Sequence, residues 1–156
     1  MAPIIDTAGL GLGIVFYGLC AFVYILRAYE KTGQELRLKY VFSLQLVPFS
    51  ILFIANLVSQ GRVRHTVTLI PMLAFLGYDF WYRALTEKKP VHHPEKWPRQ
   101  LILYLVLMFA GSIGLNWYGY LASEQYGTVL VAAFFVMMGA YSLYQVKHNK
   151  RKQTKQ

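Results

Sequence analysis

The chain has 156 residues and a formal net charge of +9, and 56% of its residues are hydrophobic while only 15% are charged. A soluble domain usually carries about 25% charged residues, so this chain lacks the polar surface that would coat a water-soluble globule. Its single cysteine excludes a disulfide framework and a cysteine-rich metal cluster. The composition therefore indicates an integral membrane protein.

Five apolar stretches are each close to the roughly 20 residues that a helix needs to cross about 30 Å of hydrocarbon. They are about twice as long as a spanning β-strand and are apolar at both odd and even positions, which favours helices over a barrel. In chain order they cover about 8–26, 40–58, 66–85, 101–121 and 127–146. We therefore predict an all-α fold: a single membrane domain of five transmembrane helices (1–146) followed by a basic tail (147–156).

Two of the connections between these spans are short. Spans two and three are joined around Gly61, and spans four and five are joined around Ser123. Such short connections predict that each of these pairs forms an antiparallel helical hairpin.

The basic residues collect on one side of the predicted membrane. The connections around Arg37 and Lys88 and the tail after Val146 hold most of the Lys and Arg residues, whereas the other side holds only Arg62 and Arg64. Because basic loops stay in the cytoplasm, we predict that the N-terminus is outside and the C-terminus is cytoplasmic, in the cell (cytoplasmic) membrane of a prokaryotic-type chain.

The first residues contain no basic segment, which predicts that the first span is not a cleavable signal peptide. The basic tail directly follows the fifth span, so we interpret it as an anchor for anionic lipid headgroups, each cation contributing on the order of 1 kcal/mol. No aromatic residue is interleaved for stacking on bases, so a nucleic-acid partner is not expected. The anchor residues are Lys147, Lys150, Arg151, Lys152 and Lys155.

One clear charge lies at membrane depth. Asp79 falls within the third span, and Arg83 follows four residues later on the same helical face. A charge in hydrocarbon is costly and is a candidate site by default. We favour a structural Asp79–Arg83 pair, and a proton or cation site remains the alternative.

Polar residues on the other four spans fall at nearly the same depth as Asp79. They are Tyr24, Gln45, Tyr104 and Tyr141. Such a layer would hold a cation or a polar headgroup, or it would simply join the helices by hydrogen bonds, each contributing about 0.6 kcal/mol on average. We favour the second interpretation.

Small residues at four-residue spacing mark faces where two helices approach closely. Gly9 and Gly13 form such a pair on the first span, and Ala110 and Gly114 do so on the fourth. They predict helix packing, either within the bundle or against a second copy of the chain.

The sequence predicts no catalytic residue, no cofactor and no metal ligand. No histidine lies inside a predicted span, where a haem would need one, and we interpret His92 and His93 as part of a solvated loop. Cys20 lies in the middle of an apolar span, where a thiol stays protonated and unreactive.

Three functions remain after these exclusions. We expect an accessory, assembly or regulatory subunit that packs against an integral membrane partner. The first alternative is a small oligomeric transporter or channel for protons, cations or solutes that uses Asp79. The second is an intramembrane enzyme that acts on lipid or quinone.

Overall fold

The computed structural model describes residues 2–29, 44–59, 62–82 and 99–154. These residues form five helices with short irregular ends, as the all-α prediction requires. The helices are α1 (Ala2–Ala28), α2 (Leu46–Val58), α3 (Val63–Phe80), α4 (Arg99–Ala122) and α5 (Glu124–Thr154).

Three of the described helices are long and apolar enough to cross a membrane, and they coincide with predicted spans one, four and five. The apolar helix α2 has 13 residues within the described range. Helix α3 has 18 residues but carries Arg64, His65 and Asp79, which lower its hydropathy. Helix α5 continues without a break through the predicted tail boundary to Thr154.

The five helices form a ring in which neighbours in sequence are also neighbours in space. Helix α1 contacts α2 on one side and α5 on the other, and it also reaches α4. Helix α3 packs between α2 and α4. We call the end of the bundle where α1 begins the amino end, and the end where α5 finishes the carboxyl end.

An aromatic cluster joins three of these helices in the centre. The ring of Phe16 on α1 meets Phe49 on α2 and Phe75 on α3 edge to face, with centroids 6.4 and 6.0 Å apart. Edge-to-face contacts are a preferred arrangement of aromatic pairs. All three rings are buried, and the core continues from them to Leu115 on α4 and Leu130 on α5.

Helices α3 and α4 approach each other backbone to backbone. A Cβ atom at Gly111 would lie 3.2 Å from the Cα of Met72, and one at Gly114 would collide with the carbonyl oxygen of Thr68. The contact lies beside Pro71, which has no backbone N–H to donate within the helix. Glycine at these positions of α4 therefore sets the distance between the two helices.

The distribution of polar and apolar side chains differs from that in a typical soluble protein, although most buried residues are apolar. Several polar or charged residues are buried, among them Gln45, Asn56, Arg62 and Asp79. Large apolar side chains are exposed on every described helix. Examples are Phe22 on α1, Ile51 on α2, Ile70 on α3, Ile113 on α4 and Phe135 on α5.

We predict that Gly114→Ala destabilises the protein by about 1–3 kcal/mol, because its Cβ would meet backbone that cannot rotate away. Gly139→Ala is the matched control, since a Cβ there would meet nothing within 4 Å. Thermal unfolding in detergent measures both variants. Equal melting temperatures for the two would contradict the proposed close contact.

Candidate functional site

A network of hydrogen bonds and an ion pair joins the helices at the amino end. The guanidinium of Arg62 pairs with both carboxylate oxygens of Asp6, and its Nη1–Oδ2 distance is 3.3 Å. The Nε of Arg62 donates to Oδ1 of Asn56 at 2.6 Å. We call Asp6, Arg62, Asn56 and Tyr118 the amino-end network.

Tyr118 connects this network to α1. Its hydroxyl accepts a 3.4 Å hydrogen bond from Nδ2 of Asn56 and donates to the carbonyl of Ile5 at 3.3 Å. The tyrosine ring lies against Gly9, where any Cβ would collide with it. Glycine at position 9 thus lets α1 and α4 approach closely enough for the hydrogen bond to Ile5 to form.

At the amino end, the pKa values of Arg62 and His65 are shifted in opposite directions. The hydrogen bond from Arg62 to Asp6 raises the pKa of the Arg62 guanidinium, so this cation stays charged. Partial burial, and then the nearby charge of Arg62, lower the pKa of His65, which precedes the predicted third span. The His65 ring lies edge-on to Tyr118 with centroids 5.5 Å apart. The lowered pKa favours the neutral form of His65 beside this cation.

A second polar contact lies nearer the middle of the bundle. The hydroxyl of Tyr17 lies 3.0 Å from the carbonyl oxygen of Ser112 and 2.9 Å from Oδ1 of Asn116. This contact links α1 to α4 below the amino-end network. The spacing of residues along the chain does not predict a partner for either Tyr17 or Asn116.

Three tyrosines of the predicted polar layer come together toward the carboxyl end. The rings of Tyr24 and Tyr141 meet edge to face at 5.1 Å. Tyr24 and Tyr104 both line a narrow cavity of about 20 Å³, which is room for about one water molecule. Arg27 lies at this cavity, and its guanidinium carbon is 5.8 Å from the centroid of the Tyr24 ring.

The two other described members of that layer are also buried. Gln45 is 6% exposed, and neither atom of its side-chain amide has a hydrogen-bond partner among the described residues. Asp79 is 1% exposed. Both lie at the carboxyl end, where α2 begins and α3 ends. Arg83, the predicted partner of Asp79, lies outside the described residues, so that pair stays a prediction.

The first residue of the predicted lipid anchor, Lys147, lies on α5 and contacts an aromatic ring at the end of α1. Nζ of Lys147 lies 3.4 Å above the ring centroid of Tyr29, and Lys150 is exposed one turn further along α5. The side chains of Arg151, Lys152 and Lys155 lie outside the described residues.

The predicted packing residues lie in different surroundings. Gly9 and Gly13 face Tyr118 and Leu130 respectively, so both contribute to contacts within this chain. Gly114 faces α3. Ala110 instead lines a shallow apolar hollow on the outer surface of α4.

Within the described ranges, no group of three or more His, Cys, Asp or Glu side chains is arranged to hold a metal ion. His92 and His93 lie outside these ranges. The residues that sequence analysis missed are those of the amino-end network. The signal for them was present, because Asp6 and Arg62 are opposite charges on the same predicted side of the bundle.

We predict that Arg62→Ala destabilises the protein by about 3 kcal/mol, because it leaves the Asp6 carboxylate and the buried Asn56 amide without their shared donor. Arg64→Ala is the control, since Arg64 is exposed two residues away and its loss should change stability by less than about 0.5 kcal/mol. Thermal unfolding in detergent compares them. Similar losses for both variants would argue against a buried ion pair.

Neither a known protein family, nor a curated protein, nor a solved structure matches this chain.

Proposed function

We propose that this protein is a five-span integral membrane protein with its N-terminus outside, and that it acts as a non-catalytic accessory subunit assembling with an integral partner. The observation that carries this proposal is the outward apolar surface on all described helices, combined with buried polar side chains. In water such a surface would drive aggregation, whereas lipid accommodates it.

The charges at the two ends support the proposed orientation. At the amino end, Arg62 is paired with Asp6, which offsets its charge. At the carboxyl end, Arg27 lies on the last turn of α1, and Lys147 and Lys150 lie within the last eight residues of α5. The positive excess therefore lies at the carboxyl end, as the positive-inside rule requires for a cytoplasmic C-terminus.

The interior supports a structural role. The amino-end network ties four segments of the chain together, and the cavity at Tyr24 has room for about one water molecule. Most ligand sites enclose several hundred Å³. A bundle joined in this way suits a subunit that presents its outer surface to a partner.

We predict that cysteine labelling places the two ends of α5 on opposite sides of the membrane. In a Cys20→Ser background, Gln125→Cys should react with a membrane-impermeant maleimide in intact cells, because it begins α5 on the outside. Asn149→Cys should react only after lysis. Both positions are exposed in the fold, so labelling of both from the same side would contradict the proposed topology.

We predict that the tagged chain, expressed at its native level and extracted in mild detergent, co-purifies with a stoichiometric integral membrane protein. Extraction in a denaturing detergent is the control and should remove the partner. A monodisperse chain without a partner after mild extraction would overturn the accessory role.

A second candidate function is proton- or cation-coupled transport. It is favoured by the buried Asp79 and by the Gln45 amide, which has no hydrogen-bond partner among the described residues, at the same end of the bundle. A carboxylate and an amide oxygen are ligands that hard cations prefer.

If this second function holds, Asp79→Asn should preserve expression and abolish coupled flux in proteoliposomes, because it removes the charge and keeps the shape. Glu124→Gln removes an exposed carboxylate at the opposite end and should leave the flux unchanged. Undiminished flux in Asp79→Asn would remove Asp79 from any transport path.

A further inference from the structure

We infer that the seam between α1 and α5 at the carboxyl end is a binding groove for one phospholipid with an anionic headgroup. This inference rests on the proposed membrane placement and goes beyond a general anchoring role for the basic tail. In this proposal Lys147 and Tyr29 bind the headgroup, and one acyl chain lies in the groove that runs from them toward the middle of the bundle.

The contact between Lys147 and Tyr29 fixes where the headgroup lies. Nζ of Lys147 sits 3.4 Å above the Tyr29 ring, which holds a cation from α5 over an aromatic residue of α1. Tyr29 continues the last turn of α1, since its N–H donates to the carbonyl of Ile25. Its side chain is 57% exposed, so the paired cation lies at the surface of the protein.

Further rings and a second cation support this position from within the bundle. The Tyr24 and Tyr144 rings are stacked with centroids 6.4 Å apart, and they join α1 to α5 at this level. Arg27 lies over the Tyr24 ring. Arg27 also lines the cavity with Phe75 and Tyr104, so it holds the Tyr24 ring from the inner side. Lys147 is the cation of the seam that favours a phosphate group.

An exposed strip of α1 leads away from this position toward the middle of the bundle. Gly18, Phe22, Ile25 and Tyr29 follow one another at spacings of four, three and four residues, so they share one helix face. Phe22 is 47% exposed, and a Cβ at Gly18 would meet nothing within 4 Å. The strip is about 16 Å long at 1.5 Å per residue.

Helix α5 has a matching strip. Gly139, Leu143 and Lys147 are four residues apart and share one face, Leu143 is exposed, and a Cβ at Gly139 would also meet open space. Because Lys147 reaches Tyr29, the two strips border the same side of the seam. Together they border the inferred channel, an exposed apolar surface that has no Cβ at Gly18 or Gly139 and that starts at a cation, as a phospholipid with its chain in the bilayer requires.

The test measures lipid binding to the full-length chain by native mass spectrometry in detergent, with dioleoyl phosphatidylglycerol or dioleoyl phosphatidylcholine added. The unmodified chain should prefer phosphatidylglycerol. Lys147→Gln should weaken phosphatidylglycerol binding about fivefold, the loss expected for one cation near a lipid phosphate. Gly139→Leu should also weaken it, because the added side chain fills the channel without meeting protein.

Two variants serve as matched controls. Arg64→Gln removes the same charge at the amino end, and Gly11→Leu adds the same bulk where a Cβ would meet open space, about 27 Å along α1 from Tyr29. Both should bind phosphatidylglycerol as the unmodified chain does. Equal binding of the two lipids, or equal losses in Arg64→Gln and Lys147→Gln, would overturn the proposed site.

Two further measurements distinguish lipid binding from the binding of free phosphate, and the groove from membrane placement. Inorganic phosphate added in excess should not displace the lipid, and displacement would show that the cations hold free phosphate instead. Alkaline carbonate extraction of the same strains tests membrane placement separately. A chain released by carbonate would contradict the proposed function itself, whereas a retained chain without lipid preference would contradict only the groove.

Discussion

The structure depends on one constraint at its amino end, where polar side chains buried between the helices pair with one another. The buried Asn56 amide shows how this constraint acts. Its nitrogen bonds to the carbonyl of Leu52 and to the Tyr118 hydroxyl, and its oxygen accepts from Arg62. An unpaired group in such surroundings would cost several kcal/mol, so these partners specify how α2 is rotated against its neighbours.

Close packing follows from a different set of residues. In lipid there is no hydrophobic drive between helices, and association relies on contacts that small residues make possible. Gly111 and Gly114 bring α4 against the backbone of α3, and Gly9 makes room for the Tyr118 ring. Gly9 lets α1 and α4 lie close enough for Tyr118 to form its hydrogen bonds. These hydrogen bonds in turn hold the two helices together.

The sequence predicts the helices better than it predicts their contacts. Apolar runs near 20 residues locate α1, α4 and α5, because length and composition alone determine whether a helix can span a bilayer. The meeting of Tyr24 with Tyr141 is compatible with the predicted depth layer. The Asp6–Arg62 pair, in contrast, joins residues 56 positions apart. Its formation depends on helix rotation, which the spacing of residues within one helix does not determine.

The two ends of the bundle differ in a way that bears on the choice between an accessory subunit and a transporter. Alternating access needs a bundle whose two ends open in turn. Opening the amino end would separate Asp6 from Arg62 and Tyr118 from the Ile5 carbonyl, and water would have to replace the partners of this part-buried ion pair. At the carboxyl end, the described contacts include the stacked rings of Tyr24 and Tyr144 and the Lys147 cation above the Tyr29 ring, which join α1 to α5. A bundle whose amino end joins four segments of the chain suits the proposed accessory subunit, which keeps one shape, better than a transporter whose two ends open in turn.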